Sequence, residues 1–286
     1  MTAPHRPVLR YHGGKWLLAP WIIENFGPHR VYVEPFGGAA SVLIRKEQSY
    51  AEIYNDLDKE VVGLFRVLQD RTHSAHLLEK LRGTPFARTE FERAYEVTED
   101  PVESARRLII RSFMGFGSPG ALGRSTGFRA SSNRSGTTPA HDWNNYPDAL
   151  RLIIDRLKRC VIECRPAMQV MEAHAGPDTL FFVDPPYLPE TRSGGNPHCV
   201  KHKYRFEMDE ADHRELLDFM LGLEGMVVLC GYPSALYTEL LPGWVRKERA
   251  ALADGARART ECLWLNPAAH DALAQQDMFT AAGEAA

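Results

Sequence analysis

Residues 180–187 read Leu-Phe-Phe-Val-Asp-Pro-Pro-Tyr and carry the densest chemistry in the chain. Leu180 to Val183 are a short β-favouring apolar run of the kind a buried parallel strand shows. Each proline that follows fixes its own φ and lacks an N–H, so the sheet ladder cannot continue through it. What remains at the tip is the Asp184 carboxylate, which only accepts hydrogen bonds, the main-chain carbonyls of Asp184 and Pro185, and the flat ring of Tyr187. Acceptors beside a stacking face suit a planar base with an exocyclic amino group. The plainer alternative is a strand end with a Pro-Pro turn whose acid caps a loop.

Other segments could position such a tip. Residues 31–42, Val-Tyr-Val-Glu-Pro-Phe-Gly-Gly-Ala-Ala-Ser-Val, read as a strand, a small-residue turn and a helix start. Gly37 and Gly38 let backbone approach a ligand closely, and the helix behind them offers free N–H groups. Eighteen residues past Gly38, after the run Ala51 to Tyr54, stands Asp56. An acid at the end of a second strand is where a β-α-β nucleotide site holds a ribose hydroxyl; the alternative is an N-cap for the amphipathic stretch Val61, Leu64, Phe65, Leu68. Ahead of both lies Tyr11-His12-Gly13-Gly14-Lys15. This is not a phosphate loop, because Leu9 stands where the first glycine belongs and Trp16 where the hydroxyl residue belongs.

The Asp-Pro-Pro-Tyr tetrapeptide resembles the signature of amino-methyltransferases, which methylate the amino nitrogen of adenine, cytosine or a glutamine side chain from S-adenosylmethionine. In order, Tyr-x-Gly-Gly-Lys, Glu-Pro-Phe-Gly-Gly, Asn-Asp and Asp-Pro-Pro-Tyr resemble the Dam-like DNA adenine-N6 methyltransferases, including phage-type members. The likeness continues through Thr191-Arg192, Tyr204 to Met208, Asp212-His213 and the late strand Glu261 to Asn266. It implies that Tyr11, Gly13, Gly14, Lys15, Glu34, Pro35, Phe36, Gly37, Gly38, Asp56 and Asp184 line an S-adenosylmethionine pocket, with Lys15 on the methionine carboxylate. It implies that Asp184, Pro185, Pro186 and Tyr187 carry catalysis: the Asp184 side chain and the Pro185 carbonyl accept both amino hydrogens and aim the nitrogen lone pair at the methyl group. Adenine inside a duplex cannot reach Asp184, so the nucleotide would be extruded and sandwiched against Tyr187. One departure is Ala40, where the family often has glycine; a methyl group there is tolerated provided φ stays negative.

Candidate strands are Val31 to Glu34, Ala51 to Tyr54, Val161 to Cys164, Leu180 to Val183, Met226 to Gly231, Trp244 to Arg249 and Glu261 to Leu265. Helical patterns lie between most of them. This alternation predicts an α/β fold, a Rossmann-like methyltransferase sheet with helices on both faces and ligands at the carboxyl ends of its strands. Residues 71–150, with helical runs at Ala75 to Leu81, Thr89 to Val97, Val102 to Phe113 and from Tyr146, read as an inserted, mainly helical target-recognition domain between catalytic parts 1–70 and 151–286.

The net charge of −3 conceals an uneven distribution. Arg106, Arg107, Arg111, Arg124, Arg129 and Arg134 fall in an acid-free stretch from Ser104 to Ala140; Arg192, Lys201, Lys203 and Arg205 fall in another between Glu190 and Glu207. Acids collect instead in Glu207 to Asp218, on a helix expected to carry Leu216, Leu217, Met220 and Leu221 inward. The first basic stretch holds a long Gly/Ser/Arg loop, a functional type of segment. The expected contacts to double-stranded DNA are Arg124, Phe128, Arg129 and Arg134 from this loop, with Arg192, Lys201, Lys203 and Tyr204 from a mobile flap at 189–204. The same chemistry on RNA or a protein glutamine, or a silent DNA-binding relative, are the alternatives.

Of 286 residues, 44% are hydrophobic and 25% charged, enough to bury a full core. No apolar stretch would span a bilayer and no signal-peptide pattern opens the chain, so a cytoplasmic monomer is expected. Cys160, Cys164, Cys199, Cys230 and Cys262 lack zinc-site spacing and read as thiols; the histidines show no metal-ligand spacing, and no metal is expected. Gln275 to Phe279 resembles the peptide by which replication proteins dock on the sliding clamp, against the alternative of a frayed terminus.

Overall fold

The computed structural model describes residues 4–117, 126–130, 136–192, 204–253 and 257–284, without the side chains of 252, 253, 257, 258 and 277–284. Its centre is one seven-stranded sheet built from β1 (Val31–Glu34), β2 (Ala51–Asn55), β3 (Cys160–Glu163), β4 (Thr179–Val183), β5 (Met226–Gly231), β6 (Val245–Ala253) and β7 (Arg257–Leu265). Their spatial order is β3-β2-β1-β4-β5-β7-β6. The first five run parallel, β7 is antiparallel to β5, and β6 is antiparallel to β7. The order reverses direction between β1 and β4, which opens a crevice at the carboxyl ends of the strands. Glu34, Asp56 and Asp184 stand at those ends.

Both faces of the sheet are covered, because successive strand residues point to opposite sides. Tyr32, Leu180 and Phe182 enter one buried cluster, whereas Val33, Phe181 and Val183 enter the other. On the first face lie α1 (Ala19–Ile23), α2 (Ser41–Arg45) and α3 (Lys59–Gln69), followed by α4 (Arg71–Gly83), α5 (Arg88–Arg93), α6 (Pro101–Met114), α7 (Pro139–Asn144) and α8 (Tyr146–Leu157). On the second lie α9 (Ala167–Ala173), α11 (Glu210–Leu221) and α12 (Ala235–Leu240), with α10 (Pro189–Arg192) between. The C-terminal α13 (Pro267–Glu284) returns to the first face through Ala269 and Leu273.

The stretch expected as a separate insert, 71–150, is helical where described, but Leu77, Leu108 and Leu150 share one continuous core cluster with Leu180 and Phe182. Apolar periodicity thus placed the helices, which pack on one another and on α3 and join the core of the first face through it.

Four expectations are corrected in detail. β3 begins one residue early, at Cys160. β6 runs on to Ala253 and β7 starts already at Arg257, because the two pair with each other well past the end of β5. Leu221 is 48% exposed: α11 ends there, and its inward stripe is Leu216, Leu217 and Met220. Ala40 does not keep a negative φ; it caps α2 at φ 51°, in the left-handed region that costs an L-residue about 1–2 kcal/mol.

Candidate active site

The turns after β1, β2 and β4 meet around a cavity of about 350 Å³. Tyr11, Gly13, Gly14, Lys15, Glu34, Pro35, Phe36, Gly37, Gly38, Asp56, Asp184 and Pro186 all line it. Tyr11 and Asp184, 173 residues apart in sequence, are brought together here.

The glycine turn is built to leave room. Gly38 has φ 48°, which favours glycine, and a Cβ on it would meet the Tyr11 ring at 3.0 Å. Asp56 braces this turn, accepting from the Gly38 N–H at 2.8 Å and from the Asp58 N–H at 2.8 Å. Helix capping falls to Asp58, whose side chain accepts from Glu60 N–H at the start of α3. Burial pushes the Asp56 carboxyl up to about 6 and that of Glu34 up to about 8. Glu34 Oε2 accepts from the Leu43 N–H at 3.0 Å and the Tyr32 hydroxyl at 3.1 Å.

At the tip of β4 the geometry is asymmetric. Asp184 Oδ2 is 2.9 Å from the Lys15 ammonium, which also donates to the Gly13 carbonyl at 2.8 Å. Asp184 Oδ1 is buried with no hydrogen-bond partner. Burial is the largest single influence and lowers the Lys15 pKa, but Asp184, Cys230, Glu261 and Tyr204 together outweigh it and hold Lys15 well above the ordinary lysine range. The sequence reading set Lys15 against a cofactor carboxylate; the fold sets it against Asp184.

Pro185 and Tyr187 are buried outside the cavity lining. The Tyr187 hydroxyl donates to Glu261 Oε2 at 2.8 Å and lies 3.1 Å from Cys230 Sγ, its ring lies 4.7 Å from the Lys15 ammonium, and the Tyr232 ring meets it edge-on at 4.7 Å. Tyr187 therefore anchors the tip rather than presenting an open face. Two residues missed in the sequence complete the brace. Glu261 was read only as part of a strand, and His213 was given no chemistry. His213 Nε2 lies 3.0 Å from the Pro186 carbonyl and its Nδ1 lies 2.8 Å from the Tyr237 hydroxyl. With burial holding its pKa down at about 4, the ring is neutral; Nε2–H donates to Pro186 and Nδ1 accepts from Tyr237. Nothing in a single histidine's spacing signals this role.

The expected DNA contacts fare differently. Arg124, Arg134, Lys201 and Lys203 lie outside the described residues, as does most of the 189–204 flap. Arg192 turns inward and pairs with Glu207 at 2.6 Å. Tyr204 packs beside it, over Gly13 and against His12. Phe128, expected to touch DNA, is pinned by a bridge to Gly115 and packs on Phe86 and Phe91, with Arg88 over its ring at 5.1 Å. Arg129 reaches the Phe113 carbonyl at 3.5 Å. Arg106 and Arg107 are engaged by Glu103, and Arg111 by Glu60. The acid-free count began one residue after Glu103, and Glu60 lies on another helix.

S-Adenosylmethionine fits the donor set. The glycine turn leaves room for backbone contact, Asp56 is at the end of the second strand where such folds hold a ribose hydroxyl, and the Asp56 and Asp184 carboxylates suit a cation. Among the described residues no group of His, Cys, Asp and Glu could hold a metal ion, and no helix is long and apolar enough to cross a membrane. Gln275 to Phe279 falls within α13.

A mixed sheet of this order, with a glycine-lined cavity at the carboxyl ends of its parallel strands, defines an α/β methyltransferase-like protein. More particularly, the chain belongs to the D12 class of N6 adenine-specific DNA methyltransferases, whose family model matches residues 11–223. It is an S-adenosylmethionine-dependent DNA adenine-N6 methyltransferase by that membership. No curated protein matches it.

Proposed function

We propose that the protein methylates N6 of an adenine extruded from double-stranded DNA at a defined sequence. The observation that carries this reading is Asp184: one oxygen is locked by Lys15, and the other is buried without a partner at the cavity. A buried acceptor left unmade is costly, so Oδ1 is poised for a donor that arrives with substrate. An adenine amino hydrogen supplies that donor, and the Pro185 carbonyl takes the second hydrogen.

When bound, S-adenosylmethionine supplies a methyl group on a sulfonium centre. The residues of this chain hold and aim. Lys15 fixes the Asp184 carboxylate, Glu261 fixes Tyr187, and His213 fixes Pro186, so the tip is rigid before substrate enters. Rigid alignment of the attacking nitrogen supplies most of the acceleration in such a design. Asp56 and the Gly37-Gly38 backbone hold the nucleoside part. Extrusion exposes the amino group, and its unstacking cost of about a few kcal/mol is offset by phosphate contacts. The helical segment 71–150 reads the target sequence, and Gln275 to Phe279 docks on a sliding clamp.

Plasmid DNA from a methylation-free host expressing the protein should contain N6-methyladenine in one sequence context. The Asp184→Ala variant should bind duplex and leave it unmodified. Methyl transfer to RNA or protein but not to duplex, or undiminished transfer by Asp184→Ala, would overturn the reading.

A further inference from the structure

The β6–β7 hairpin reaches beyond the sheet to which it belongs. β5 pairs with β7 only through 228–231 and 262–265, whereas β6 and β7 stay paired out to Ala253 and Arg257. Residues 249–253 and 257–261 thus pair only with each other among the described residues, an arm of about 17 Å at about 3.4 Å per residue. Gly231 is paired with Cys262, so the arm leaves the sheet at the carboxyl end of β5. That is the end at which Asp184 follows Val183, itself paired with Leu229.

One face of this arm turns toward the catalytic tip. Glu261 reaches the Tyr187 hydroxyl from it. Arg259 lies two residues before Glu261 and therefore shares its face, and Arg249 is the cross-strand partner of Glu261 and shares it too. The Arg259 guanidinium lies 5.9 Å from the Tyr232 ring, which itself meets Tyr187. The Arg249 guanidinium lies 5.9 Å from the Trp21 ring.

These two arginines have no acid partner, unlike several others near the site. Arg192, Arg205, Arg106, Arg107 and Arg111 are each held by a carboxylate. Arg249 and Arg259 form no ion pair among the described residues; Arg259 Nη2 donates to the Arg192 carbonyl at 3.4 Å, a neutral acceptor, and Glu261, the nearby acid on their face, is engaged by Tyr187. Arg246, on the opposite face of β6, is paired with Glu248 at 2.5 Å.

We propose that the β6–β7 arm is a phosphate-binding element that grips the DNA backbone beside the extruded adenine, with Arg249 and Arg259 each neutralising one phosphate. The inference rests on the duplex-DNA reading above. Two guanidiniums without acid partners, set diagonally on neighbouring strands of one ribbon beside the catalytic tip, match the spaced charges of a nucleic-acid backbone. They position the duplex without reading its sequence. This role replaces, on a different element, the one that sequence alone gave to Arg192.

The test is a salt titration of duplex affinity, by fluorescence anisotropy between 50 and 200 mM, for wild type, the Arg249→Ala/Arg259→Ala double variant and an Arg246→Ala control. Each phosphate contact contributes about 0.9 to the slope of log K against log salt, so the double variant should lose about 1.8. Its duplex affinity at low salt should fall several-fold, while its melting temperature, S-adenosylmethionine affinity and kcat at saturating DNA stay at wild-type values. Arg246→Ala should keep the wild-type slope. An unchanged slope in the double variant, or a loss of kcat with the slope intact, overturns the arm. A wild-type chain that neither binds nor methylates duplex overturns the underlying reading, and the arm with it.

Discussion

Substituting Gly37 by alanine tests the cofactor cradle most directly. The Gly37 N–H donates to the Asn55 carbonyl at 2.8 Å, and its own carbonyl accepts from Ala40 at 2.7 Å, so the backbone there cannot drift. A Cβ on Gly37 would lie 2.1 Å from Cε2 and 2.5 Å from Cδ2 of Tyr54. Carbon atoms pack at about 3.5 Å, so the ring would have to retreat by more than about 1 Å. Tyr54 has no room for that. It is fully buried, its ring is stacked on Phe65 at 4.3 Å, and its hydroxyl donates to the Gly38 carbonyl at 2.7 Å. Overpacking of this kind costs about 1–3 kcal/mol, and loss of the Tyr54–Gly38 hydrogen bond adds about 1 kcal/mol. At about 2–4 °C per kcal/mol, the melting temperature should drop by on the order of 5–10 °C. Because the residue that must move closes the turn proposed to cradle the cofactor, calorimetry should also show S-adenosylmethionine affinity falling by more than the loss of folded protein explains. Gly63→Ala is the control: in the middle of α3 a Cβ meets nothing within 4 Å, and removing a helical glycine should stabilise by about 0.5–1 kcal/mol. If Gly37→Ala melts and binds like wild type, the close-approach argument for this cradle is wrong.

Three further outcomes are expected. An ionised Asp56 accepts a ribose hydroxyl more strongly than a neutral one, and burial sets its carboxyl at about 6; S-adenosylmethionine affinity should therefore fall by up to about tenfold per pH unit below that value, and a pH-independent affinity would count against a charged Asp56 on the ribose. Asp56 and Glu34 are both raised in the folded state, to about 6 and about 8, so the stability they contribute is complete below the ordinary carboxylate range and is lost as pH rises through those values. The wild-type melting temperature should accordingly fall more steeply between pH 5 and pH 8 than that of Glu34→Gln; coincident pH profiles would contradict this. Lys15→Met should destabilise by about 3 kcal/mol, because it leaves the 15%-exposed Asp184 carboxylate without its counter-charge, and it should lower kcat more than it raises KM for S-adenosylmethionine; a KM effect alone would return Lys15 to the cofactor carboxylate.

The strand tip Leu180 to Tyr187, the glycine turn and Asp56 were legible because each is a local pattern: apolar run, breaker, acid. Seven strands were placed to within a residue or so at most ends, since buried parallel strands advertise themselves as short apolar runs between turns. The reach of the β6–β7 hairpin was not legible. Its outer residues, Ala250 to Ala253 and Arg257 to Thr260, carry no hydrophobic alternation and are strand only because they pair with each other. The left-handed φ of Ala40 was equally invisible, as alanine is a residue that ordinarily avoids that region.

Sequence by itself determined at which strand ends Glu34, Asp56 and Asp184 would stand, because backbone preference, proline and glycine act on their immediate neighbours. Tertiary structure decided which charges remained free to act. Lys15 was given to Asp184, Arg205 to Asp58 and Glu60, Arg192 to Glu207, and Tyr187 to Glu261, leaving Arg249 and Arg259 without acids. Ion pairs are made between side chains that packing brings within a few ångströms, whatever their separation along the chain, so a count of basic residues in a window cannot say which of them will meet a ligand.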